Sequence, residues 1–162
     1  MLKDAIETAI KMETDAISFY GEAAKKTKHP FGKEMFKGFV KDETRHLKML
    51  KDILEGLDIE FEFVRPKETI KTVFSEFKNE LMKRIKALDD EMDAVNIALK
   101  MEKEGFDFYK NSASRATGKE KELFERLAVE ENDHYTILME TYKFLDNTGH
   151  WYMYEERGII EG

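Results

Sequence analysis

Glu43-Thr44-Arg45-His46 and Glu131-Asn132-Asp133-His134 are two Glu-x-x-His quartets in sequence of helical period. Three residues of separation put the carboxylate and the imidazole of each quartet on one face of a helix. A lone glutamate precedes each quartet at nearly the same distance: Glu13 stands 30 residues before Glu43, and Glu102 stands 29 before Glu131. Glu13 to Glu102 and Tyr20 to Tyr109 are each 89 positions, while Glu43 to Glu131 and His46 to His134 are each 88. The halves therefore superimpose as a repeated helical hairpin with one residue lost between its helices. Together the six residues form the ligand set of a two-metal site inside a four-helix bundle.

The quartets alone are weak, because glutamate fills 23 of 162 positions and some Glu-x-x-His pairs arise by chance. The upstream motif strengthens them: Met12-Glu13 with Phe19-Tyr20 is repeated as Met101-Glu102 with Phe108-Tyr109. Helical period supplies a second test. Glu13 shares a stripe with Ile6, Ile10, Ile17, Tyr20 and Ala24, and Glu102 with Val95, Leu99, Phe106, Tyr109 and Ala113. Glu43 and His46 fall among Phe36, Phe39, Leu47 and Leu50, and Glu131 and His134 among Phe124, Leu127, Leu138 and Leu145. All six polar residues are expected to point at the core.

A buried, unpaired carboxylate is costly and tends to take up a proton, and four facing one another are worse. Two divalent cations resolve the conflict, since four carboxylates and two neutral imidazoles carry four negative charges. The reading makes Glu13 and Glu102 terminal ligands, Glu43 and Glu131 bridges, and His46 and His134 one nitrogen ligand per metal. Tyr20 and Tyr109 are candidates either to aim those carboxylates by hydrogen bonds or simply to pack in the core. Glu104, Glu130 and Asp133 neighbour the ligands in sequence but are expected on the solvated face. His29 and His150 lack the motif, fall in expected turns and receive no role.

Composition bounds the partners. A net charge of −7 disfavours nucleic acid and anionic membrane, which select basic faces. No long apolar run is present, and Met1-Leu2-Lys3-Asp4 leads straight into an amphipathic helix, so a cytoplasmic protein without membrane anchorage is expected. The absence of cysteine excludes disulfides, thiolate metal sites and thiol catalysis from this sequence.

Along the chain, one domain over 1–162 is expected. Hairpin one covers about 2–56, with helices over 2–28 and 31–56, a break at His29-Pro30 and a left-handed cap at Gly56. A crossover covers about 57–88: residues 57–63 alternate briefly as a strand would, Pro66 can open a helix, and 70–87 reads as an extra amphipathic helix. Hairpin two covers about 89–146, with helices over 90–116 and 119–146 joined at Thr117-Gly118. The tail, 147–162, carries Trp151, Tyr152 and Tyr154, expected to cover one end of the bundle or a subunit interface. The fold class is all-α, a ferritin-like four-helix bundle with one long crossover.

The paired Met-Glu…Phe-Tyr and Glu-x-x-His motifs, with runs such as Ala23-Ala24-Lys25-Lys26, resemble the rubrerythrin family of ferritin-like diiron-carboxylate proteins. The resemblance spans both hairpins. It implies two iron ions, dimers or larger assemblies, and reduction of hydrogen peroxide by the reduced centre. Carried over residue by residue, the metal ligands are again Glu13, Glu43, His46, Glu102, Glu131 and His134. Two departures stand out. Rubrerythrins carry a further carboxylate ligand one turn after the third-helix glutamate, where this chain has Gly105. They also carry a rubredoxin-like cysteine iron domain, and without cysteine any electron donor must be a separate protein. A six-ligand set is also similar to the ferroxidase centre of bacterioferritins.

Three functional classes follow. Oxygen ligands with two imidazoles suit Fe²⁺, with Mn²⁺ or a mixed pair as alternatives, and adjacent ions can deliver two electrons to one peroxide or dioxygen. A non-haem diiron oxidoreductase acting on hydrogen peroxide, as a homodimer, is the favoured reading. Ferroxidase or iron-handling chemistry is the second. A non-catalytic metal-binding bundle is the third, with oxygenase chemistry beside it.

Overall fold

The computed structural model describes residues 1–61, 64–66, 68 and 89–148. Among them are four helices, α1 (Lys3–Lys26), α2 (Pro30–Leu54), α3 (Asp89–Arg115) and α4 (Gly118–Thr148). No strand occurs among the described residues. At about 1.5 Å per residue the helices are roughly 36 to 47 Å long. α1 packs on α2 and α3 on α4, and the two hairpins meet through α1 with α3 and α2 with α4. This is an all-α, ferritin-like bundle. No described helix is long and apolar enough to cross a membrane.

Helix ends follow from local chemistry. α1 stops at Lys26, two residues short of the expectation, because Thr27 turns to an extended conformation while its N–H and hydroxyl both donate to the Ala23 carbonyl at 2.9 and 2.7 Å. His29 then caps α2: its Nδ1 accepts from the Phe31 N–H at 3.0 Å, and Pro30 occupies the first helical position, where no N–H is required. His29 is fully buried, so the expectation that it has no role is corrected to a structural one. α2 ends in a Schellman motif. Gly56 adopts φ +74°, the Gly56 N–H donates to Ile53 O at 3.1 Å and the Leu57 N–H to Asp52 O at 2.9 Å. At the second hairpin's turn, Gly118 takes φ +61° and opens α4, which extends two residues beyond the expected end at 146.

The expected strand over 57–63 is absent from the described part, 57–61, where the backbone forms no ladder. Pro66 does open a helical turn, with the Glu68 N–H donating to Arg65 O at 2.8 Å. The extra helix over 70–87, His150 and the aromatic tail lie outside the described residues.

Between the hairpins the core divides into two apolar clusters. One gathers Tyr20, Phe31, Met35, Phe36, Phe39, Val95, Leu99 and Leu138; the other gathers Ile6, Met49, Leu50, Tyr109, Leu123, Phe124 and Leu127. Each fully buried large apolar side chain contributes about 1.5–3 kcal/mol, so the clusters carry most of the packing energy. Two parallel motifs recur across the pseudo-twofold axis: Tyr20 stacks on Phe36 at 5.9 Å, and Tyr109 on Phe124 at 6.1 Å. The band between the clusters is polar.

Candidate metal centre

That band holds the six residues named from the sequence. Glu13, Glu43, Glu102 and Glu131 are each at most 4% exposed, and His46 and His134 are fully buried. Each helix delivers its part because the period that buries its apolar stripe buries the polar residue in the same stripe: Ile6, Glu13 and Tyr20 on α1, Val95, Glu102 and Tyr109 on α3. One ligand atom from each of Glu13, Glu43, His46 and Glu131 falls within a 4.8 Å set, and the same holds for Glu43, Glu102, Glu131 and His134. Glu43 and Glu131 belong to both groups.

Both imidazoles aim Nδ1 into the carboxylates. His134 Nδ1 lies 3.0 Å from Glu43 Oε1 and 3.2 Å from Glu102 Oε1. His46 Nδ1 lies 3.5 Å from Glu13 Oε1 and 3.4 Å from Glu131 Oε1. Their outer nitrogens face two further carboxylates, Asp42 Oδ2 at 2.9 Å from His134 Nε2 and Glu130 Oε1 at 3.1 Å from His46 Nε2. The second contact is at hydrogen-bond distance but off the hydrogen-bond line. Arg45 Nη2 lies 2.8 Å from both Asp42 Oδ1 and Glu130 Oε1. Asp133 is clamped by Arg65 of the crossover, with Nε and Nη2 donating at 2.8 and 3.0 Å.

These contacts correct two expectations. Glu130 and Asp133 do not lie on the solvated face; they are 1% and 3% exposed. Asp42, which sequence reasoning missed, is 5% exposed. A signal was present, since Asp42 and Glu130 are each the residue before a quartet glutamate and stand 88 positions apart, in register with the repeat. Glu104 is exposed as expected.

The tyrosines take part across the hairpins. Tyr20 of α1 donates its hydroxyl to Glu102 of α3, and Tyr109 of α3 donates to Glu13 of α1. Burial and the adjacent glutamate charge, Glu102 for Tyr20 and Glu13 for Tyr109, push both phenols well above the ordinary tyrosine range, so both stay protonated donors.

Without a cation the cluster is under electrostatic stress. Burial, then the Glu43 charge, pushes the Glu13 carboxyl up to about 8. Burial, then Glu102 and Glu13, raises Glu131 well above the carboxylate range. For His46 and His134 burial acts downward, but the carboxylates around them, led by Glu13 and Glu102, win and raise both well above 6.5. Glu13 Oε2, Glu43 Oε1, Glu102 Oε2, Glu131 Oε1 and His46 Nδ1 are buried and make no hydrogen bond among the described residues. Buried lone pairs of hard oxygen and imidazole nitrogen, converging from four helices, are the donor set that a pair of divalent cations satisfies.

A cavity of about 310 Å³ adjoins this cluster, lined by Met12, Ala16, Phe19, Met101 and Gly105 with the carboxylates of Glu13, Glu102 and Glu131. It reaches the surface beside the exposed Asp15 and Glu104. A Cβ built on Gly105 would lie 3.5 Å from Glu131 Oε2, so a side chain here would stand against a quartet carboxylate.

No curated protein and no solved structure matches the chain. Residues 4–142, which run from the start of α1 through most of α4 and include every residue of the polar band, match the family described as Rubrerythrin. The chain belongs to the rubrerythrin family.

Proposed function

We propose that the polar band binds two iron ions and that the protein reduces hydrogen peroxide with electrons from a separate donor protein. The observation that carries this reading is the pair of four-residue groups that share Glu43 and Glu131. Glu13 and His46 would hold one ion, Glu102 and His134 the other, with Glu43 and Glu131 between them. When bound, a ferrous pair supplies the two electrons of H₂O₂ + 2 e⁻ + 2 H⁺ → 2 H₂O. The chain's own residues do the rest. Tyr20 and Tyr109 fix one oxygen each of Glu102 and Glu13, leaving the other oxygen for the ion. The cavity between α1 and α3 admits a small oxidant past Met12, Phe19 and Met101, whose apolar walls limit water at the carboxylates. The electrons are assigned to a separate donor protein.

Gly105 favours a second reading. A six-residue set without a carboxylate at this position is similar to a ferroxidase centre, in which Fe²⁺ is the substrate and dioxygen the oxidant. One experiment separates the two. After anaerobic reconstitution with Fe²⁺, ferric absorption in the near ultraviolet is followed during separate titrations with hydrogen peroxide and dioxygen. Fast oxidation by peroxide with slow oxidation by dioxygen supports peroxide reduction, and the reverse order supports ferroxidase chemistry. Two ions retained but inert to both oxidants would leave a metal-stabilised bundle without redox function.

A further inference from the structure

We infer that Arg45 is a positioning residue shared by both halves of the centre, holding the two carboxylates that orient His134 and His46. The inference rests on the metal reading above but makes a separate claim. The repeat makes Arg45 conspicuous. Asp42 and Glu130 are equivalent positions, as are His46 and His134, but the equivalent of Arg45 is Asp133. One cation therefore serves both sides, and the carboxylate at the equivalent position is clamped elsewhere by Arg65.

The distances show how one side chain serves two imidazoles. Arg45 sits on α2, one residue before His46, and its Nη2 reaches its own helix at Asp42 and crosses to α4 at Glu130, 2.8 Å from each. Asp42 in turn faces His134 of α4 at 2.9 Å, and Glu130 faces His46 of α2 at 3.1 Å. The order His134, Asp42, Arg45, Glu130, His46 is thus a chain of close polar contacts that passes between α2 and α4 three times. Asp42 and Glu130 are buried carboxylates, and the guanidinium between them balances charge that would otherwise be costly there. So held, Asp42 takes the Nε2–H of His134 and Glu130 faces Nε2 of His46 at 3.1 Å, which turns Nδ1 of His46 toward Glu13 and Glu131 and Nδ1 of His134 toward Glu43 and Glu102. The Arg45 side chain is 16% exposed and lines an open cavity with Lys48, Met49 and Asp52, separate from the one beside Gly105. A lysine offers a point charge instead of a fork and spans the two carboxylates less well.

The test is anaerobic titration of the full chain with Co²⁺ alone, whose visible absorption reports both the number of ions bound and their coordination, beside the melting temperature of the metal-free protein. Arg45→Met should weaken both binding steps by about 10–100-fold and alter the Co²⁺ spectrum of both ions. Arg45→Lys should fall between Arg45→Met and the parent. Asp42→Asn and Glu130→Gln should each weaken one step, and the double variant should reproduce Arg45→Met, so the claim remains testable if Arg45→Met does not fold. Unchanged affinities and spectra in Arg45→Met, even with a lower metal-free melting temperature, would overturn the inference by reducing Arg45 to a structural ion pair. Single carboxylate variants that weaken both steps equally would also overturn it. Failure of the parent chain to bind two Co²⁺ ions would sink the metal reading itself, an outcome distinct from either.

Discussion

Carboxylates that share a buried band protonate when no cation is present, and this gives the metal-free protein an unusual dependence on pH. Glu13 and Glu131 have folded-state pKa values raised above 4.5, with Glu13 at about 8, and both histidines are raised above 6.5. A raised folded value means stability that is fully present below the unfolded value and lost as pH rises through the folded one. The melting temperature in a chelator should therefore fall between about pH 4.5 and pH 8. With Mn²⁺ present it should instead rise over the same range, because the ions bind only deprotonated ligands. Scanning calorimetry across that window checks both slopes, and parallel slopes would contradict the site. Single substitutions sort the residues further: Glu43→Ala or His134→Ala should lower metal content and abolish peroxide-dependent oxidation, whereas Glu104→Ala, at an exposed position, should change neither. Burial of the six residues was legible in the sequence because they share stripes with isoleucine, leucine, phenylalanine and tyrosine. Asp42, Glu130 and Asp133 were not, because one residue along a helix turns about 100° and leaves the apolar stripe. Arg45 meets Asp42 on its own helix, but its contact with Glu130 and that of Arg65 with Asp133 are long-range pairings that helical period does not encode.

Helix ends were legible where a residue enforces them and blurred where a side chain supplies the last bond. Pro30 and Gly118 placed two boundaries within a residue, and Gly56 caps a helix that stops at Leu54, two residues short of the expected end. The end of α1 shifted because the Thr27 hydroxyl competes for the Ala23 carbonyl, which a sequence pattern does not reveal. His29 belongs with these local devices. Replacing it by alanine removes the acceptor for the Phe31 N–H and should cost about 0.5–2 kcal/mol, whereas asparagine should retain most of the stability. Gly56→Ala forces a Cβ into the left-handed region and should cost about 1–2 kcal/mol, with nothing nearby to clash. Thermal unfolding of the metal-free variants reads both; for a chain of this length each kcal/mol moves the midpoint by about 2–4 °C.

At the scale of the molecule, the two apolar clusters lie on either side of a polar band whose buried carboxylate oxygens lack partners among the described residues, so on the proposed metal reading assembly and metal uptake are thermodynamically linked. Free metal at about a thousandfold over its dissociation constant should add about 4 kcal/mol to the stability, visible as a concentration-dependent midpoint. The bundle was legible from the repeat, since two equal hairpins with opposed polar faces have few ways to satisfy both. The connection was less so: 57–63 alternates in hydropathy, yet 57–61 forms no ladder because no partner strand exists among the described residues. The crossed hydroxyls have a consequence of their own. Because Tyr20 serves Glu102 and Tyr109 serves Glu13, neither hairpin completes its own half, and each carries what the other lacks. Such reciprocity is the signature of an isologous contact, the kind that identical surfaces make with themselves. A peptide of residues 1–56, bearing Glu13, Tyr20, Glu43 and His46, is by this rule self-complementary. It should sediment as a metal-dependent dimer in Co²⁺ and as a monomer in chelator.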